Sequence, residues 1–222
     1  MDPKKPFGHS FFGGTERRGY HHGRLKDALI EAARSLMAER GPAGFTLAEA
    51  AKLVGVTGAA PYRHFADRNA LVAELARRGF ELFASRLEAA WDAGRPDSMT
   101  AFRRMGPAYL AFAREEPGLY TAMFGNVATL STEASGQAAD RALDILRQAA
   151  IAVLRQFGAP ESLSKDLAFQ IWGTSHGVAM LALSGHLDAA KGCDPAVILD
   201  QTIGSIIEMT IRRGLNEKSV TR

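Results

Sequence analysis

The stretch from Thr46 to Phe65, TLAEAAKLVGVTGAAPYRHF, constrains this chain more than any other. Thr46 is placed to cap a helix, and Glu49, three residues on, is spaced to reach back to it in a capping box. Leu47, Ala50, Ala51 and Val54 then recur on one helical face. Gly55 ends that helix, because glycine tolerates the left-handed backbone of a helix C-terminus. Val56 is spaced to plug the turn into a core. Thr57 stands as a second N-cap, and the helix it opens runs through Tyr62-Arg63-His64-Phe65. Two short helices about a tight turn form a helix-turn-helix, whose second helix lies in the major groove with its N-terminal residues facing base edges.

The order Thr46, Ala51, Gly55-Val56-Thr57, Tyr62-Arg63-His64-Phe65, Arg68 and Leu71 resembles the signature of the tetracycline-repressor family. The resemblance covers roughly residues 22–85. It implies an all-α fold: an N-terminal three-helix domain carrying the helix-turn-helix, and a C-terminal helical bundle that forms a homodimer. Gly58 and Pro61 stand where better helix formers are usual, and Pro61 costs the second helix one early hydrogen bond. Arg68 stands where the family usually has Lys.

Composition agrees with such a protein. Of the 222 residues, 46% are hydrophobic and 23% charged, ordinary for a globular chain. Residues 1–90 carry 14 Lys and Arg against 10 Asp and Glu, whereas the remainder carries 13 against 14. The basic excess therefore sits with the helix-turn-helix, as phosphate binding needs. No apolar run approaches the ~20 residues of a membrane span, and Lys4 and Lys5 precede no apolar signal segment. Cys193 is the only cysteine. It excludes an internal disulfide and fits a reducing cytoplasm.

Along the chain, residues 1–22 read as a basic arm broken by glycines, either touching DNA with Arg17 and Arg18 or solvated. Residues 23–93 form the DNA-binding unit with a connecting fourth helix capped by Asp67, and residues 94–222 an effector-binding and dimerisation domain. Arg68, in the first turn of the fourth helix, opposes the helix dipole and so serves something outside that helix; the DNA backbone is the expected partner. The spacing predicts further helices over residues 98–116, 119–125, 137–157, 163–184 and 195–213, with a loop at residues 126–135. The last two are apolar on several sides and must bury several sides. That points to a dimer interface through Ile203 and Ile207, a fully internal helix pair being the alternative.

Trp172-Gly173-Thr174-Ser175-His176-Gly177 also resembles a W-x-x-x-H-G signature of one C-terminal class in the same family. Tyr109, Phe112, Tyr120, Met123, Phe124, Trp172, His176 and Met180 could together line an apolar pocket with few polar tips, the usual small-molecule site. Singly, each is ordinary core. His176 is either a ligand anchor or a satisfied core histidine.

No metal-ligand spacing, P-loop or dinucleotide fingerprint occurs, so neither metal nor cofactor is expected. Ser175 and His176 project about a hundred degrees apart on a helix and make no catalytic dyad, so no enzyme activity is expected. The reading is a cytoplasmic DNA-binding regulator, a repressor released from double-stranded operator DNA by a small apolar or amphipathic effector. DNA contact is expected at Thr46, Thr57, Gly58, Tyr62, Arg63, His64 and Arg68. The rival is a helical small-molecule-binding or enzymatic protein whose helix-turn-helix is purely structural.

Overall fold

The computed structural model describes residues 19–125 and 132–220. Among these, eight α-helices and no strand are found: α1 (Gly19–Arg40), α2 (Leu47–Val54), α3 (Arg68–Trp91), α4 (Ser98–Glu115), α5 (Pro117–Phe124), α6 (Glu133–Gln156), α7 (Ser164–Leu183) and α8 (Pro195–Val220). The backbone is helical from Gly19, earlier than the arm boundary at residue 22. Arg17 and Arg18 of the arm, and residues 126–131 of the expected loop, lie outside the described residues. No helix is long and apolar enough to cross a membrane, among the described residues.

Local chemistry explains most boundaries. Thr46 accepts a bond from the Glu49 amide at 3.2 Å, and the Thr46 amide donates to Glu49 Oε2 at 2.8 Å. Both halves of the capping box are therefore formed. Those bonds from Thr46, ahead of a salt bridge to Arg40, hold the Glu49 carboxyl below its ordinary value. Gly55 closes α2 in the left-handed region at φ 78°. Asp67 and Asp97 cap α3 and α4 through the amides of Ala70 and Thr100.

The helix α3 is the axis of the molecule. It packs on α1 at one end and on α4, α5 and α6 along the rest. One apolar cluster runs unbroken from Leu29 of α1 to Ile207 of α8. The expected division near residue 93 is thus a change of connection rather than a gap in the core. Phe83 of α3 meets Tyr109 and Phe112 of α4 with ring centroids 5.0 and 5.1 Å apart. Each such ring fully buried contributes about 1.5–3 kcal/mol.

The helix α5 packs on both α1 and α3, so it is the joint between head and body. Gly118 allows it: a Cβ there would lie inside the carbonyl oxygen of Arg34 on α1. Charges flank the same joint. Arg34 pairs with Glu116, and Arg86 of α3 pairs with Glu115 at 2.7 Å and lies 5.5 Å from the Phe112 ring centroid. Farther along α3, Arg78 reaches Asp27 of α1 at 2.6 Å. Glu74 lies between Arg77 and Arg78. The Arg77 hydrogen bond, opposed by burial and helped by Arg78, holds its carboxyl down at about 2.

Candidate functional site

The reading head differs in one respect from the expectation. The second helix of the helix-turn-helix is not an α-helix capped by Thr57 but a four-residue 3₁₀ helix, Ala60–Arg63, with no side-chain cap. Thr57 contributes instead its carbonyl, which accepts from the Ala60 amide at 2.9 Å. The cause is Pro61. It has no N–H to donate, and it disfavours the α conformation at the residue before it. Four residues carry little of the helix dipole, so Thr57 and Gly58 do not open a helix N-terminus that attracts a phosphate. Both residues remain exposed, as do Arg63 and Tyr62, the latter at 61% of its surface. His64 is half-buried with Nε2 out of solvent, which makes it a poorer phosphate partner than Arg63.

Arg68 is placed otherwise than expected. Its Nε donates to the Phe45 carbonyl at 2.9 Å, Nη2 donates to the Pro42 carbonyl, and the guanidinium stands 4.5 Å from the Phe45 ring centroid. It does serve something beyond its own helix, but that partner is the α1–α2 loop, not a phosphate. Thr46 is exposed, yet its hydroxyl is engaged with Glu49 at 3.0 Å.

Within the body, an apolar crevice of about 20 Å³ lies between α3, α4, α6, α7 and α8. Phe83, Phe102 and Met105 wall one side, Leu143, Ile171 and Trp172 the other. Tyr109 and Trp172 are the two expected pocket residues that line it; Ser175 and Leu143 line it without having been expected. Phe112, Tyr120 and Met123 are core, each almost wholly buried. Met180 faces outward, 47% exposed, and is no pocket residue. Helical spacing alone could not tell an inward from an outward stripe on a helix apolar all round.

Beside the crevice runs a polar chain. Tyr120 lies 2.7 Å from His176 Nδ1, and Tyr109 lies 3.4 Å from Tyr120. Burial lowers the His176 pKa, favouring the neutral ring whose bare Nδ1 accepts from the Tyr120 hydroxyl. Burial likewise pushes the Tyr109 phenol up to about 12, opposed by hydrogen bonding with Tyr120 and Trp172. Phe124 closes over His176 with centroids 4.7 Å apart. His176 is thus half-buried, with its Nδ1 hydrogen-bonded within the chain.

Ile203 and Ile207 are not at the surface. They are 5% and 1% exposed, buried against this chain's own core, so an interface cannot run through them. The outward apolar residues of the last two helices are instead Phe169, Met180, Leu181, Leu183, Val197, Met209 and Leu215. Between them Gly173 and Gly177 leave a flat strip where an added Cβ would meet nothing within 4 Å.

Comparison with known proteins agrees with this architecture. The family "Bacterial regulatory proteins, tetR family" matches residues 29–75, and "Tetracyclin repressor-like, C-terminal domain" matches residues 102–206. The chain belongs to the tetracycline-repressor family, and it is a DNA-binding transcriptional regulator. It is 31% identical over 110 residues to the nucleoid occlusion factor SlmA of Vibrio cholerae, a match spanning 50% of this chain and 56% of that relative. A protein of unknown function from Rhodococcus sp. RHA1 shares its fold at 26% identity and a TM-score of 0.74, over 88% of this chain and all of that one. So does the TetR-family regulator PfmR of Thermus thermophilus, at 17% identity and a TM-score of 0.64, over 81% of this chain and 97% of that one. A TetR variant from Acinetobacter baumannii AYE, solved with minocycline, has a TM-score of 0.60 at 17% identity, over 85% of this chain and 97% of that one.

Proposed function

We propose that this regulator is a cytoplasmic homodimeric repressor, released from a palindromic operator when a small apolar or amphipathic molecule occupies the body. Thr57, Gly58, Tyr62 and Arg63 are the DNA contacts. Thr46 and His64 play a lesser part through their exposed atoms, and Arg68 acts by holding the loop. The observation that carries the reading is the position of α5. It packs on α1 of the head and on α3, and its Tyr120 meets Tyr109, which lines the crevice. A ligand that displaces Tyr109 acts on the joint that sets the head. The effector must then bind the two settings of the head unequally, and operator DNA must weaken effector binding by the same factor.

Dimerisation follows the outward strip of α7 and α8, where the copies pack Gly173 and Gly177 against each other. The test is a selection of genomic fragments by the full chain, followed by a salt titration of the recovered site. Phosphate neutralisation raises log Kd against log salt with a slope of about 0.9 per contact. A flat salt response, or equal affinity for random duplex, would overturn the reading.

A further inference from the structure

Ser175 is one of two buried hydroxyls of α7, with Ser164 at the first residue, that make no bond to a carbonyl four residues earlier. Thr174, Ser184, Thr202, Ser205 and Thr210 each donate to the carbonyl four residues earlier, at 2.8–3.0 Å. Ser175, 3% exposed, makes no such bond, and it has no hydrogen-bond partner among the described residues. Its side chain lines the crevice instead. A hydroxyl not spent on its own helix is free to bond a guest, and here it faces space walled by Phe83, Phe102, Tyr109 and Trp172.

Two further facts bear on what fits there. Among the described residues, none of the lining side chains is charged. An ionised ligand would therefore lose its hydration with no counter-charge to replace it. In addition, about 20 Å³ is too little for any effector, because small-molecule sites run to several hundred Å³. The wall must open, and Leu143 is where it can. It is half-buried, and it also lines a groove of about 470 Å³ between α6 and α7, bounded by Asp140, Arg147, Lys165 and Phe169. It is the residue that the crevice and the groove share. The Leu143 side chain is thus what stands between the two spaces.

We infer that the effector is an uncharged, ring-bearing molecule with one hydroxyl or carbonyl group, which enters from the α6–α7 groove past Leu143 and hydrogen-bonds to Ser175 Oγ. The aromatic walls take the ring and the single free hydroxyl takes the polar group. The charged rim of the groove stays outside. This inference rests on the effector reading above.

The experiment uses the full chain and matched probes: phenol with benzoate, and 2-naphthol with 2-naphthoate, by calorimetry and thermal unfolding at neutral pH. The neutral member of each pair should bind and raise the melting temperature, and the anionic member should not. Ser175→Ala should weaken the neutral probes about fivefold, the scale of one hydrogen bond, with a melt without ligand no lower than that of wild type. Leu143→Ala should speed association, and Leu143→Trp should slow it. Equal or tighter binding of the anions overturns the proposal, as does a Ser175→Ala chain that binds as the wild type does. So does failure of both neutral probes on wild type and Leu143→Ala alike. Operator affinity is measured separately: probe binding without DNA release leaves this site standing and removes the switch.

Discussion

Arg68 and Gly118 show how single residues hold the reading head. Arg68 spends a fixed charge on two backbone carbonyls and an aromatic face, which stitches the α1–α2 loop to α3. Hydrogen bonds from a charged donor contribute about 1.5–3 kcal/mol each in favourable settings, and the exposed part of this contact lowers that. Arg68→Ala should therefore destabilise the chain by about 1–3 kcal/mol in urea unfolding. Arg68→Lys should recover only part of this, because an ammonium cannot present the planar fork. The salt dependence of DNA affinity should barely change in either variant. A loss of one unit of slope in Arg68→Ala, with stability intact, would return Arg68 to the phosphate backbone. At Gly118 the argument is steric. A methyl group would meet the Arg34 carbonyl, which is backbone and cannot rotate away. Gly118→Ala should cost about 1–3 kcal/mol, as overpacking does, and should weaken operator binding beyond that loss by tilting α1. A variant with wild-type melting and wild-type DNA affinity would remove α5 from its place as the joint.

Among the elements, those whose shape depends on their own neighbours in sequence were legible, and those whose shape depends on packing were not. The capping box of α2, the Gly55 stop and the Asp67 cap are local and formed as read. The second helix of the helix-turn-helix was read as α-helix from its aromatic and basic end, yet Pro61 inside four residues decided for 3₁₀. The helix α8 carries isoleucines on several faces, and only the positions of α4 and α7 decide which stripe turns inward; Ile203 and Ile207 do. In sequence Ser175 is only the neighbour of His176, with no dyad between them. Its placement against the crevice comes from the rotation of α7, which no spacing rule supplies. The seam between α1 and α3 offers a test by pH. Glu74 is held at about 2 by Arg77 and Arg78, from an ordinary value of 4.5. Its folded pKa is depressed, so its stabilisation is complete above about 4.5 and is lost as pH falls towards 2. Glu74→Gln should therefore cost about 1 kcal/mol at pH 7, after discounting for solvent screening. It should also flatten the fall in stability between about pH 5 and 2. An acid limb of unchanged steepness would mean that other carboxylates carry it.

For the whole molecule the question is which surface joins two copies, because one head reads only half of a palindromic site. The apolar strip of α7 and α8 and the buried stripe beneath it make opposite statements about mutation. Ile207 is sealed inside its own chain. A charge there is buried without a partner, at several kcal/mol, and Ile207→Glu should unfold the chain whether or not it dimerises. Gly177 is the reverse case. Among the described residues nothing outside its own stretch of helix lies within 4 Å of an added Cβ, and replacing a helix-interior glycine by leucine favours the helix by roughly 0.5–1 kcal/mol. In a lone chain Gly177→Leu is therefore harmless or stabilising. Between two copies packed glycine to glycine it drives the helices apart and leaves Met209 and Val197 imperfectly covered. Sedimentation should find wild type as dimers and Gly177→Leu as folded monomers with full helical content. Operator affinity should fall at least tenfold, about 1.4 kcal/mol. The two results must come together, since a monomer that unfolds reports only on the core. Dimers of undiminished stability in Gly177→Leu would place the interface away from this strip. The aligned apolar residues Phe169, Met180 and Leu181 would then need another partner.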